Sequence, residues 1–207
     1  MCISYRFSFE FFPPKTLEAV GKLQMTTERL AQLNPSFFAV MFGAGSRTRE
    51  RTFETVMDIF KKTGIDGVPH VSCIGSTVGE IKTILDSYIE GGIRNVVALR
   101  GDLPSGSIGG GPLRYARELV EFIRRGTGDH FHIEVAAYPE FHPQAPSAQK
   151  DLENFKRKVD AGADAAITQY FYNPDAYYRF IDSCEKLRID IPIVPGIMPI
   201  VTCTQLC

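Results

Sequence analysis

Short runs of apolar and β-branched residues alternate along the chain with longer stretches whose apolar positions recur at helical spacing. The runs are RFSFEFF (6–12), FFAVM (37–41), PHVSC (69–73), NVVAL (95–99), HIEVAAY (132–138), DAAITQ (164–169) and IPIVPGI (191–197). Several of the intervening stretches end close to glycine, in KKTGID, EGGIRN and DAGADA, where the left-handed position past a last helical turn suits that residue. The stretch from Ser147 to Ala161 is the clearest helix. Ser147 can cap it, and Leu152, Phe155 and Val159 recur at i, i+3 and i+7 as a buried stripe.

Repetition of strand, helix and strand is the mark of parallel βαβ units. The runs begin roughly 26 to 37 residues apart, which predicts an α/β fold of the TIM (β/α)₈ barrel type. A doubly wound open sheet is the competitor. The barrel is favoured because polar residues with chemical potential follow many different strands, whereas an open sheet gathers them at one switch point. The chain ends about ten residues after the seventh run. The expectation is therefore a single catalytic domain over residues 1–207, incomplete with about seven strands and lacking the closing strand and helices. Its two unpaired edges predict low solubility.

Composition narrows the class. The 207 residues carry 44% hydrophobic content, enough for one sizeable core, and 23 Lys and Arg against 24 Asp and Glu give a net charge of -1. No broad field attracts nucleic acid or an anionic membrane. No apolar run approaches the roughly 20 residues of a membrane span, and the N-terminus lacks a leader pattern, so a cytoplasmic address is expected. Five scattered cysteines without a C-x-x-C pair read as reduced thiols. His130 and His132 could share a metal from one strand, but no third ligand is evident, so a structural or solvated pair and no metal site are expected.

Several residues could carry chemistry. In RFSFEFF, Phe7, Phe9 and Phe11 alternate onto one face and Ser8 and Glu10 onto the other, so Glu10 is expected to project into the barrel. Desolvated there, it could serve as a general acid near neutral pH. Taken alone, a solvated or salt-bridged glutamate is the commoner case. Arg100, Gly101 and Asp102 follow the fourth strand, where Gly101 allows close backbone approach to a ligand and Asp102 places negative charge at the mouth, or where all three simply form a turn with an ion pair. Gln169 ends the sixth strand and can both donate and accept. Asp151, Asn154 and Lys158 share a helix face at i, i+3 and i+7. An ordinary wet face is one reading, and a grip on a ribose and a pyrophosphate, with Arg157 beside them, is the other. Neither G-x-x-x-x-G-K-[ST] nor G-x-G-x-x-G is present.

Taken together, FSFEFFPPKT, PHVSC, ALRGDLP, VAAYPEFHPQA, DLENFKRKVDAGADAAITQYF and PIVPGIMPI resemble the methylenetetrahydrofolate reductases, in their short bacterial form without a regulatory domain. The match runs in order along nearly the whole chain. The resemblance implies a barrel flavoprotein that uses FAD to pass hydride from NAD(P)H to 5,10-methylenetetrahydrofolate in a ping-pong cycle, giving 5-methyltetrahydrofolate. It implies that Glu10 is the general acid, that Asp102 lies near flavin and folate, and that Gln169 and Gln205 contact substrate. For FAD it implies Phe42, Ala44, His70, Arg100, Gly101 and Asp102 on the early strands. Ala116, Tyr138, His142 and Ala145 follow, with Asp151, Asn154, Arg157 and Lys158 along the ADP portion. It also implies homo-oligomers for the full-length family. Where the family has a threonine before the aromatic residue of the second strand, this chain reads Val40, Met41, Phe42, Gly43, Ala44, so a hydroxyl beside the flavin is absent. The alternatives are an inactive truncated barrel that binds flavin or folate, and a pterin-binding barrel without flavin.

Overall fold

The computed structural model describes residues 6–42, 46–101 and 111–199. Ala44, Asp102 and Gln205, expected at the site, lie outside these residues, as do Gly43 and residues 103–110. The described elements are β1 (Phe9–Phe11), α1 (Leu17–Ala31), β2 (Phe38–Val40), α2 (Ser46–Thr63), β3 (Gly67–Ser72), α3 (Val78–Glu90) and β4 (Asn95–Leu99). They continue with α4 (Ala116–Thr127), β5 (His132–Ala137), α5 (Ala148–Asp160), β6 (Ala165–Thr168), α6 (Pro174–Lys186) and β7 (Ile193–Val194).

All seven strands are parallel and pair in chain order from β1 to β7. A doubly wound sheet reverses its strand order at a switch point, and this one does not, so the winding is that of an incomplete (β/α)₈ barrel. Seven runs that read as strands in the sequence are strands in the structure. The first and last are shorter than their apolar runs. Pro13 and Pro14 follow β1, and Pro192 and Pro195 flank β7, and a proline has no N–H to give to a ladder.

Local signals fix the helix ends. Thr77 accepts from Glu80 N while Glu80 Oε2 accepts from Thr77 N, a capping box that starts α3. Ser147 accepts from Lys150 N at the start of α5, and Asn173 accepts from Asp175 N at the start of α6, with Pro174 in the first turn. Gly64 and Gly162 leave α2 and α5 with φ of 70° and 109°, the left-handed exit expected of KKTG and DAG.

The core lies between the outer face of the sheet and the helices. Phe38, Val40, Val71, Val96, Ala98, Ile133, Val135 and Ala137 meet Val56, Leu85, Tyr88, Leu119, Ile123 and Phe155 in one cluster. Phe9 and Phe11 pack against it, stacking at 6.2 Å and tilting at 5.7 Å against Phe38. Each large side chain buried there is worth about 1.5–3 kcal/mol of transfer free energy. On α5 the expected stripe is in place, with Phe155 buried and Leu152 and Val159 packed beside it.

The N-terminal ends of β5 and β6 are tied by one arginine. Arg124 of α4 donates to the carbonyls of Gly162 (2.8 Å) and Phe131 (2.7 Å) and to Asp164 Oδ2, which also accepts from Ile133 N at 2.7 Å. His132 adds a long contact to Asp164 at 3.8 Å, and His130 faces Arg94 at 2.9 Å and the Ile93 carbonyl at 3.1 Å. The histidine pair therefore serves the structure of this end. Replacing Arg124 by Met leaves two inner carbonyls and Asp164 short of donors, and is expected to cost about 2–3 kcal/mol. Urea denaturation checks this: a midpoint like that of the wild type would mean that the tie carries no stability.

Candidate functional site

Parallel register decides which side chains share the inner face. Glu10 is level with Ala39 and Val68, and His70, two residues beyond Val68, keeps that face. His70 is level with Val97, Val97 with Glu134, and Glu134 with Ala165. The phenylalanines on either side of Glu10 pack outward, so the alternation in FEF turns the carboxylate inward as expected.

Glu10 Oε2 stands 3.7 Å from His70 Nε2, with the Glu10 side chain 47% exposed and that of His70 only 5%. Burial raises the Glu10 pKa above its ordinary 4.5, since the inner face withholds part of the water that a charged carboxylate needs. The same effect takes His70 from 6.5 down to about 4, so its ring is neutral at physiological pH. Neither ring nitrogen of His70 has a hydrogen-bond partner, and each is buried. Glu134, which sequence reasoning passed over, is 7% exposed, has an unpartnered buried Oε2, and is pushed up to about 7 by burial.

A second group of expected residues gathers at the C-terminal ends of β4 and β5. Gly101 has a φ of 84°, and a Cβ built there would sit 1.9 Å from Ser72 Oγ, so only glycine lets the chain pass this closely. Ser72 donates to the Arg100 carbonyl at 2.8 Å. The Arg100 guanidinium donates to Gln144 Oε1 at 2.6 Å, and Gln144 N donates to His142 Nδ1 at 3.0 Å. His142 packs edge-on to Tyr138 at 4.7 Å, its backbone N–H donates to Asp151 Oδ2 at 3.0 Å, and Ala145 N closes a turn onto its carbonyl. Arg100, Tyr138, His142, Ala145 and Asp151 thus form one connected cluster.

On α5 the expected shared face divides. Asn154 accepts from Arg157 at 3.2 Å, and both are exposed. Lys158 instead bends inward, donates to the Ala136 carbonyl and lies over the Phe155 ring at 5.5 Å from its centre. Enclosure of its ammonium lowers its pKa from 10.5 to about 8, against a smaller opposing pull from Asp151. A wet-face reading does not hold for Lys158, because its long stem carries the charge from the helix flank to the strand end. Gln169 ends β6 with an exposed side chain and a backbone bond to the Ala137 carbonyl at 2.7 Å. Phe42 and Ala116 sit at the ends of β2 and the start of α4. Met41 is half-buried, and its carbonyl accepts from Thr52 Oγ1 at 3.1 Å.

Among the described residues no cluster of three His, Cys, Asp or Glu is placed to hold a metal, and no helix is long and apolar enough to cross a membrane. Cys73 and Cys184 are buried free thiols.

Polar groups that follow several strands of one parallel winding, with buried ionisable residues on its inner face, are the layout of an incomplete (β/α)₈ barrel. The sequence profile described as methylenetetrahydrofolate reductase matches residues 3–207, and the chain belongs to that family. The 5,10-methylenetetrahydrofolate reductase of Salmonella typhimurium is 49% identical over 193 residues, covering 93% of this chain and 64% of that protein. The methylenetetrahydrofolate reductase (NADH) 1 of Arabidopsis thaliana is 40% identical over 208 residues, covering 94% of this chain and 35% of that one. The chain thus spans about two thirds or less of the length of these relatives.

Solved structures agree on the fold alone. A protein from Clostridium thermocellum that binds two copies of 5-methyl-5,6,7,8-tetrahydrofolic acid superposes with a TM-score of 0.66 at 17% identity, over 98% of this chain and 69% of that one. Phosphonopyruvate hydrolase does so with a TM-score of 0.65 at 11% identity, over 92% and 66%.

The two buried groups pull stability in opposite directions with pH. His70 is depressed in the fold, so its contribution is present above about 6.5 and lost as pH falls towards about 4. Glu134 is raised, so its contribution is present below about 4.5 and lost as pH rises through about 7. Between pH 4.5 and 6.5 the slopes oppose each other. Glu134→Gln is expected to leave stability rising with pH across that window, and His70→Asn to leave it falling, each by on the order of 3 kcal/mol. Urea midpoints at stepped pH check this. Variants with the wild-type slope would show that neither group is desolvated.

Proposed function

We propose that the chain reduces 5,10-methylenetetrahydrofolate to 5-methyltetrahydrofolate with NAD(P)H as reductant and FAD as the resident cofactor, in a ping-pong cycle. What carries this reading is Glu10, a carboxyl of raised pKa held on the inner face 3.7 Å from a neutral, buried histidine. The folate in the family's name is the substrate that needs such an acid.

The described residues suit FAD. His70 keeps two buried ring nitrogens without a hydrogen-bond partner, free to meet the polar edge of a bound ring system. Arg100, beyond β4, offers a cationic donor, and the family resemblance adds Asp151, Asn154, Arg157 and Lys158 along the ADP portion. Bound FAD would supply a hydride carrier between reduced nicotinamide and folate.

The chain's own residues would manage binding and protons. Glu10 gives its proton to N10 of the folate, which opens the five-membered ring to a cationic iminium. Partial burial raises its pKa, so it holds that proton to higher pH than a fully solvated carboxylate does. Asp102, carried over from the family resemblance, stabilises the cation by Coulomb attraction. Gln169 at the end of β6, and Gln205 by the same resemblance, donate to and accept from the pterin and amide edges. The expectation of a cytoplasmic enzyme rests on the reading of the sequence, and that of a homo-oligomer on the family resemblance. No observation favours an inert flavin- or folate-binding barrel over the reductase.

Glu10→Gln is expected to keep the oxidation of NAD(P)H by bound flavin and to slow folate reduction roughly 10²–10⁴-fold, the ordinary worth of a positioned general acid. Stopped-flow spectroscopy of the two half-reactions separates them. Equal loss in both would contradict the assignment of Glu10, and a purified chain without the visible bands of flavin after incubation with FAD would contradict the cofactor.

A further inference from the structure

Three successive residues at the end of β3 converge on one carbonyl at the end of β4. The Arg100 oxygen accepts from Ser72 Oγ at 2.8 Å, from Ile74 N at 2.9 Å and, more weakly, from the Cys73 thiol at 3.5 Å. Ser72 stands level with Leu99 and two residues beyond His70, so it ends the inner face of β3 one step above that ring. It is 7% exposed, and the proposed chemistry leaves its hydroxyl without a role.

A trans peptide points its carbonyl and the N–H that follows in opposite directions. With the Arg100 oxygen turned to β3, the Gly101 N–H points to the other side of β4, where β5 lies. No described residue accepts a hydrogen bond from it. The chain itself does not fix that direction. Rotating a peptide plane changes ψ of one residue and φ of the next, and a glycine in the second place, with no Cβ, admits both arrangements. Gly101 has a φ of 84°, and a Cβ there would meet Ser72 Oγ at 1.9 Å and Ile74 Cγ2 at 3.2 Å. The hydroxyl that holds the peptide thus fills the space that a side chain at 101 would need.

The same turn receives the chain again. Gly111 comes back against the Ser76 carbonyl, where a Cβ would sit 2.6 Å away, and the buried Ser76 hydroxyl reaches the Ser72 carbonyl at 3.5 Å. Both glycines that flank residues 102–110 therefore rest on the segment from Ser72 to Ser76. The Arg100 guanidinium is anchored separately, on Gln144 Oε1 at 2.6 Å, so residue 100 is held at both ends.

We propose that Ser72 is a positioning residue that locks the Arg100–Gly101 peptide in one of its two orientations, so that the Gly101 N–H is presented as a donor to a ligand at the end of β4. The use of that donor by FAD rests on the reading above, in which Gly101 and the adjoining Asp102 are cofactor contacts by resemblance. The orientation itself does not. Without the hydroxyl, one backbone donor and one weak thiol donor remain on the Arg100 oxygen, and the peptide samples both arrangements.

The chain has two Arg–Gly steps, at 100–101 and 125–126, so labelling with ¹³C′-arginine and ¹⁵N-glycine gives two linked amide signals, and Arg125→Lys removes one of them. In the flavin-free chain, Ser72→Ala is expected to shift the Gly101 amide signal or split it in two, and Ser72→Thr, which keeps the hydroxyl, to leave it single and close to its wild-type position. FAD affinity, read from the quenching of flavin fluorescence on binding, is expected to fall about fivefold in Ser72→Ala, the ordinary worth of one internal hydrogen bond, and to stay within about twofold of wild type in Ser72→Thr. A Gly101 amide indifferent to Ser72→Ala would overturn the proposal, and so would undiminished FAD affinity in that variant. Equal loss in both variants would also overturn it, since packing rather than a hydroxyl would then be at work. A wild-type chain that binds no FAD, while its Gly101 amide still answers to Ser72, would remove the cofactor reading and leave the lock standing.

Discussion

The constraint on which the site depends is the register of the parallel ladders. Because side chains alternate along a strand, a pairing that holds Glu10 level with Val68 and His70 level with Glu134 commits all three ionisable groups to one face. A slip of one residue in β1 alone would turn Phe9 and Phe11 inward and Glu10 towards the helices. The aromatic contacts of Phe9 and Phe11 with Phe38 oppose that slip, so the packing of the outer face holds the chemistry of the inner face in place.

Burying polar groups on the inner face works against folding, and the apolar layer outside the sheet offsets it. His70 and Glu134 each lie in surroundings that disfavour their charged forms, and neither finds a full set of hydrogen bonds within the chain. Such groups persist where the surrounding structure over-determines them, and they concentrate where a fold does chemistry. The structural end of the sheet is built differently. There Arg124 and Asp164 satisfy one another and the neighbouring backbone, which is the pattern of a tie rather than of a site.

Much of the architecture was legible in the chain because each strand is a short apolar run and each helix end carries its own cap or glycine. The limits of β1 and β7 were not, since apolar residues continue past the paired segments, up to Pro13 beyond β1 and across Pro192 and Pro195 around β7. Glu10 could be read because phenylalanines flank it on both sides and set its phase. Glu134 escaped notice because a lone glutamate among Ile133, Val135 and Ala137 looks like the wet side of an amphipathic strand. In a winding whose inner face is enclosed, that side is dry. Lys158 misled for a related reason: a helical wheel places its Cα correctly, but the flexible stem takes the ammonium elsewhere. The cluster around His142 owes its coherence to backbone and side-chain bonds between loops, which spacing along one strand or helix does not encode.

The central claim is that the inner face of the sheet holds Glu10 in surroundings dry enough to keep its proton at higher pH than water would. Following the side-chain carboxyl ¹³C resonance of Glu10 through a pH titration of the intact chain measures this directly. A midpoint clearly above 4.5 is the expected result. A midpoint at or below that value would mean that the carboxylate is as well solvated as a surface glutamate, and the account of the site would not stand.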